Sequence, residues 1–456
     1  MKILFVRLKK KSDTNPVPHL GLGILASILR NAGHDVIVLD YLLYPSDNNS
    51  PILENVIDSI KPDAIGFSIY TATSKASLEM IGRIFHYKIP IIVGGPHPSL
   101  YGEELISVKG ISYIVRGEAE AIIIELIKNI RYLEKPEIID GTVADMDKVP
   151  FPDFTVFMNK EYINQYPLQT SRGCPFNCSF CAVKFIASRK WRSRDYKLCV
   201  DEVAKAKSLY PGLEYVKIVD DAPTVNIVHF KNFLNEYISR KIRLKMIIDN
   251  IRADGIDEEL VKLVKDAGSD NICIGVESGN EVVFKAINKS ETLDDIKRAA
   301  NLIKKGGLRL GTCFVIGLPH DNLKRVKDSI ILTKELKPDF IFWNMAHPMK
   351  KTEIMDWFSM NAAQIYNTED YSSYDTHTLN IREPVIETKD FTRYQRKKAY
   401  FIAMVETQQY QVNVHETFLL FAYSIKYNYL LGTIKAFTLR IYMHMRKKIK
   451  KRNVYE

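Results

Sequence analysis

Ser171-Arg172-Gly173-Cys174-Pro175-Phe176-Asn177-Cys178-Ser179-Phe180-Cys181 places three thiols at CxxxCxxC spacing, just after a predicted strand at Leu168. Three thiolates ligate three irons of a cubane iron-sulfur cluster and leave the fourth unsaturated, open to a further ligand. A zinc knuckle would ask for a fourth Cys or His inside the loop. None is there, and the next cysteine, Cys199, falls on a predicted helix.

Beyond the loop, apolar runs alternate with helix-like stretches: YVKIVDD, a helix near Lys197 to Leu209 before it, LKMIID, NICIGVESG, LRLGTCFVIG and DFIFWN. About six strand-helix units in a row predict an open or partial (β/α)6 barrel of the TIM type over 167–347, with its chemistry on loops at the strand carboxyl ends. Before the loop, KILFVRL, DVIVLD, AIGFSI, IPIIVGG and SYIVRG alternate with helical stretches. Their continuous apolar character predicts parallel strands covered on both faces, a doubly wound, Rossmann-like α/β domain over 1–135. Residues 136–166 lose periodicity and collect Pro136, Pro150 and Pro152, so they are expected to be a linker. After His347 the sequence turns aromatic and helix-compatible, which predicts a carboxyl-terminal helical segment over 348–456.

The cysteine loop resembles the radical S-adenosylmethionine (SAM) superfamily, in which a CxxxCxxC loop at the first barrel strand holds a [4Fe-4S] cluster and SAM chelates its fourth iron. An electron from the cluster cleaves SAM there to a 5'-deoxyadenosyl radical that abstracts hydrogen. The resemblance implies a SAM site made of Phe180 near the adenine, Asp220 and Asp221 on the methionyl ammonium, and Arg252 on the carboxylate or ribose. Glu277 in GVESGNE and Gly317 in GTCFVIGLP complete it. The chemistry suits these types, since carboxylates answer an ammonium and a guanidinium answers a carboxylate. The family's strand-five turn continues differently, because Pro319-His320-Asp321 stands here.

The amino-terminal elements Pro18-His19-Leu20-Gly21-Leu22, Gly66-Phe67-Ser68, Gly94-Gly95-Pro96-His97 and Arg116-Gly117-Glu118 resemble the cobalamin-binding domain of class B radical SAM enzymes. This implies a corrin on Leu20, Gly21, Ser68, Gly94, Gly95, Gly117 and Glu118, with His97 near the corrin or its phosphate tail. The DxHxxG motif that supplies a cobalt ligand elsewhere is absent. His19 is the one nearby candidate, and a lone loop histidine is more often solvated or capping. No cysteine precedes Cys174, which argues against a second amino-terminal cluster and hence against methylthiotransfer. Cys199, Cys273 and Cys313 are expected to be buried small hydrophobes.

The 456 residues, 46% hydrophobic and 26% charged, suit a folded chain of about two or three domains. The first residues lack a secretory pattern, and clustered thiols suit a reducing compartment, so a cytoplasmic protein is expected. The formal charge of +10 is concentrated near the carboxyl end, with Lys426, Lys435, Arg440 and the run Arg446 to Arg452. That distribution points away from nucleic acid and toward either peripheral contact with an anionic membrane or a helix docked on the barrel. Ranked first is cobalamin-dependent modification, by methylation, of an unactivated carbon on a small molecule or lipid, with ferredoxin or flavodoxin as electron donor. Cobalamin-dependent radical C–C bond formation or oxidative cyclisation of a lipid or tetrapyrrole, and a non-catalytic cobalamin or redox sensor, are the alternatives.

Overall fold

The structure, a computed structural model, describes residues 1–9, 16–44, 50–249, 251–366, 383–408, 414–438 and 440. Its amino-terminal sheet takes β1 (Lys2–Arg7), β2 (Asp35–Asp40), β3 (Ala64–Ser68), β4 (Ile91–Gly94), β5 (Tyr113–Arg116) and β6 (Glu137–Asp140). Between them run α1 (Leu20–Asn31), α2 (Leu53–Ile60), α3 (Ser74–Ile84), α4 (Pro96–Tyr101) and α5 (Ile123–Lys128). The six strands are parallel, in the order β2-β1-β3-β4-β5-β6. The chain leaves β1 toward β2 and returns on the other side as β3, so a switch point opens at the carboxyl ends of β1 and β3.

Ile3 and Phe5 face α1 and α5, while Leu4 and Val6 face α2 and α3. Burial on both faces is why these strands read as unbroken apolar runs. Strand β6 corrects the sequence reading, because it lies inside the stretch taken as linker and pairs onto β5. The rest of that stretch is packed down. Phe154 and Phe157 are buried, and Met158 N–H donates to the Val38 carbonyl at 2.9 Å. Gly23 is required on α1, since a Cβ there would meet the Phe154 ring at 2.4 Å.

The second body contains β7 (Gln165–Leu168), β8 (Ser171–Arg172), α6 (Val183–Ile186), β9 (Arg192–Ser193), α7 (Tyr196–Leu209), β10 (Tyr215–Ile218), α8 (Ile227–Ser239) and β11 (Lys245–Ile248). It continues through α9 (Glu258–Asp266), β12 (Asn271–Glu277), α10 (Glu281–Ala286), α11 (Leu293–Lys305), β13 (Arg309–Ile316), α12 (Leu323–Leu336) and β14 (Phe340–Met345). Strands β7, β10 and β11 form one parallel sheet and β12, β13 and β14 another, with an Ile251–Ile274 bridge between them. The result is an open six-stranded half-barrel. Along its strands one face is sealed by helices, as with Ile274 and Phe314, while Lys217, Gly275, Cys313 and Asn344 on the other face stay partly open.

The carboxyl-terminal part comprises α13 (Glu353–Asn361), an antiparallel pair β15 (Ala362–Ile365) and β16 (Ile386–Thr388), α14 (Arg393–Glu406), α15 (Val414–Lys426) and a helix over 430–438. The β15–β16 pair was not foreseen by the purely helical reading. The basic run Arg446 to Arg452 lies outside the described residues. Among the described residues no helix is long and apolar enough to cross a membrane.

Candidate active site

The cysteine loop is closed at its base by the β8–β9 ribbon, in which Arg172 pairs with Arg192. Gly173 starts the loop at φ 85°, and a Cβ there would meet the Lys190 carbonyl at 2.4 Å. Its N–H donates to Asp221 Oδ2 at 2.8 Å. The far side of the loop is pinned where Ser179 N–H donates to the Ile287 carbonyl and Ile354 N–H donates to the Ser179 carbonyl, both at 2.9 Å.

All three loop cysteines are free and partly buried. Burial pushes the Cys178 thiol up to about 11, with Cys181 adding to the rise, while Lys289 and Arg252 pull the other way. Among the described residues no three His, Cys, Asp or Glu side chains are arranged to hold a single metal ion. A single zinc needs every ligand about 2.3 Å from one point, whereas a cubane takes each thiolate on a different iron. Three free thiols on one loop, with Lys289 and Arg252 near enough to favour the Cys178 thiolate, fit the donor set of a cluster.

The acidic pair divides. Asp220 is sealed inside, and its carboxylate accepts from Thr170 N–H at 2.7 Å, Thr170 Oγ1 at 2.6 Å and Ser171 Oγ at 2.6 Å. Burial raises it to about 6 despite those donors. It braces the strand that leads into the cysteine loop, which corrects its assignment to SAM. Asp221 instead lines the large cavity described below.

Arg252 lies with its guanidinium 3.6 Å from the centre of the Phe176 ring and donates to Asp254 and to the carbonyls of Lys289 and Ser290. Glu277 sits at the end of β12 with φ 64°, a conformation costly for a non-glycine residue. Its carboxylate lies 3.1 Å from Lys289 Nζ, which is equally close to Glu291. Lys289, the buried cation that ties these carboxylates beside the cysteines, escaped the sequence reading because a lysine in a loop carries no pattern. Gly317, at φ 87°, gives its carbonyl to Arg396 Nη1 at 2.9 Å and its N–H to Asp321 Oδ2 at 2.7 Å.

At the carboxyl ends of β1, β3, β4 and β5 the protein leaves a cavity of ≈ 440 Å³, or ≈ 1520 Å³ counting its open mouth. Leu20, Gly21, Ser68, Gly94, Gly95, Gly117 and Glu118 all line it, and the half-barrel closes it with Gln169, Arg172, Val219 and Asp221. His19 also borders the cavity, yet both its ring nitrogens are engaged. Nδ1 accepts from Leu22 N–H at 3.1 Å and caps α1, and Nε2 is 2.9 Å from Ser68 Oγ. Burial, then Arg7, lowers its pKa to about 3. It is a neutral helix cap.

One expected contact falls outside the cavity, and another keeps its place there but is tied up in ion pairs. His97 is buried and stacks on Tyr101 with ring centres 4.8 Å apart, so it does not line the cavity. Glu118 borders the cavity, but its carboxylate is held by Arg172 at 3.0 Å and by Arg192, and accepts from Ala144 N–H at 2.9 Å. Burial pushes its pKa up, but the paired arginines outweigh that and hold it low. It locks the two domains together across the cysteine-loop ribbon.

A second space of ≈ 350 Å³ lies between the domains, lined by Tyr70, Thr71, Ala72 and Pro96 on one side and Phe180, Val315, Leu318, Met345, His347 and Ile354 on the other. Tyr70 and Pro96 belong to both cavities. Burial lowers His347 to about 4, so this slot is apolar and uncharged at neutral pH.

Residues 168–332 match the model of the radical SAM superfamily, and residues 11–127 match the B12 binding domain. The chain is a radical SAM enzyme with an amino-terminal B12-binding domain, the architecture of the cobalamin-dependent radical SAM enzymes, whose cofactors are a [4Fe-4S] cluster, SAM and cobalamin. It is similar to an uncharacterized methyltransferase of Pyrococcus horikoshii, 26% identical over 440 residues, covering 87% of this chain and 90% of that one. It is also similar to the anaerobic magnesium-protoporphyrin IX monomethyl ester cyclase of Cereibacter sphaeroides, 27% identical over 437 residues, with 86% and 68% covered. Its fold matches the radical SAM methyltransferase TsrM from Kitasatospora setae, solved with cobalamin and a [4Fe-4S] cluster, at TM-score 0.69 and 16% identity over 91% of this chain and 90% of that one.

Proposed function

We propose that the protein transfers a methyl group to an unactivated carbon of an apolar small molecule or lipid. The observation that carries this reading is the pair of cavities sharing Tyr70 and Pro96, one on the B12-binding domain and one against Phe180 of the cysteine loop. A substrate in the apolar slot touches the corrin side and the cluster side at once.

When bound, the cluster supplies the electron that cleaves SAM, and cobalamin supplies the carrier of the methyl group. Cys174, Cys178 and Cys181 hold the cluster. Asp221 and Glu277 accept hydrogen bonds from the SAM ammonium, Arg252 meets its carboxylate, and Phe180 and Gly317 border its adenine. Leu20, Gly21, Ser68, Gly94, Gly95 and Gly117 form the corrin cradle, where the small residues permit close approach. His19, with one ring nitrogen capping its helix and the other on Ser68, would border the cobalamin as a neutral side chain rather than bind its metal. Residues 1–140, ending with β6, form the B12-binding unit; the electron donor is of the ferredoxin or flavodoxin class.

Anaerobic protein reconstituted with iron, sulfide and cobalamin, given SAM labelled at its methyl group and an apolar extract of the source cells, is expected to place label in one extract component. The likeness to the cyclase supports a second reading, in which the product changes but carries no label. Unlabelled products accompanied by 5'-deoxyadenosine would replace methylation with cyclisation.

A further inference from the structure

Beyond the cofactor sites, the carboxyl-terminal helices present a surface that the fold leaves open. In α15 the buried stripe is Leu420 and Ser424, continued by Tyr427 in the turn that follows, and in the next helix it is Thr433 and Ala436. These stripes pack inward, with Tyr427 against Phe401 of α14 at 5.5 Å, while Phe421 and Phe437 join the two helices edge to face at 5.6 Å. The opposite stripe is also apolar. Phe418 is 71% exposed, Ile425 66% and Leu431 85%, with Leu430 and Ile434 beside them. Their spacing of seven residues between Phe418 and Ile425, and of three between Leu431 and Ile434, keeps each pair on one helical face.

Helices apolar on two faces must cover the second one, since large contiguous apolar surface in water marks an interaction site. The charge around this face selects the occupant. From Thr417 to Arg440 the sequence holds no Asp or Glu, while Lys426, Lys435 and Arg440 stand within it. Six further cations, Arg446, Lys447, Lys448, Lys450, Lys451 and Arg452, follow along the chain. A protein partner would be met by mixed charge. Apolar anchors in a surround of large basic excess, nine cations from Lys426 to Arg452 against Glu416 on α15 and the ion-paired Glu383 and Glu406 beside it, are the chemistry of a helix pair lying in the interface of an anionic bilayer.

We propose that the outer face of α15 and of the 430–438 helix docks the enzyme on anionic membrane surface, with Phe418, Ile425, Leu431 and Ile434 entering the headgroup boundary. This assignment is independent of the reaction the enzyme performs. Docking of this kind leaves the domain soluble in high salt and brings it to where apolar substrates dissolve.

The test is co-sedimentation of the full-length holoprotein with phosphatidylglycerol-containing vesicles and with pure phosphatidylcholine vesicles. The expected result is recovery with the anionic vesicles, about tenfold weaker on neutral ones and reduced by 1 M salt. The double variant Leu431→Asp/Ile434→Asp changes exposed side chains only, so it should keep its cluster content and its melting temperature while losing about tenfold in vesicle affinity. Equal recovery on both lipids, no recovery on either, or recovery unchanged in the double variant would overturn the proposal. A concentration-dependent dimer in sedimentation velocity that the double variant abolishes, without vesicle binding, would assign the face to a second copy of the chain instead.

Discussion

His19 shows how one side chain decides a cofactor question. With Nδ1 capping α1 and Nε2 on Ser68, the ring is neutral and committed, its pKa lowered to about 3 by burial first and Arg7 second. The unfolded chain takes up that proton near pH 6.5, so the stabilisation is complete above 6.5 and is lost progressively as pH falls toward 3. His19→Asn keeps a capping acceptor without the titration. Unfolding free energy measured in denaturant from pH 7 to 5 should fall less steeply in this variant, by up to about 1.4 kcal/mol per pH unit. His97 and His347, each lowered to about 4 by burial, retain the remaining slope. At this scale the sequence was a partial guide. The cysteine spacing carries its own chemistry, but Asp220 and Asp221 are adjacent letters, and which one turns inward depends on Thr170 and Ser171 at the entry to the cysteine loop.

Among elements, the turn after β13 shows how the carboxyl-terminal helices support the barrel. Arg396 of α14 is buried, and its guanidinium reaches the carbonyls of Gly317 and Phe391. A Cβ on Gly317 would meet Arg396 Nη1 at 1.9 Å, and φ at 87° disfavours any side chain there. Gly33 has a similar φ of 85° with nothing within 4 Å, so it isolates the backbone cost alone. Gly33→Ala should cost about 1 kcal/mol in denaturant unfolding and Gly317→Ala about 2 kcal/mol or more, with weakened SAM binding in the second only. Equal costs would mean that Arg396 yields freely. Periodicity had marked the strands and helices of both domains well, because each is buried in a regular stripe. It missed β6 and β15–β16, since Glu137–Asp140 is half-exposed at a sheet edge and carries no apolar run.

Across the whole molecule, Glu118, Arg172 and Arg192 bring the floor of the corrin-side cavity and the base of the cysteine loop into one ion-paired cluster. The sequence placed Glu118 and the cysteine loop in separate domains, and only the folded chain shows that they meet. The apolar slot was equally illegible, for its walls come from residues as far apart as Tyr70 and Ile354. Everything proposed for the reaction depends on a cluster at Cys174, Cys178 and Cys181 that exposes one iron to SAM. The most direct measurement is electron paramagnetic resonance of the anaerobically reconstituted, reduced protein, with iron and sulfide quantified, before and after SAM is added. The account predicts about four irons and four sulfides per chain, a reduced-cluster signal that changes on SAM addition, and loss of both in Cys178→Ala. Zinc in place of iron, or a signal indifferent to SAM, would contradict it.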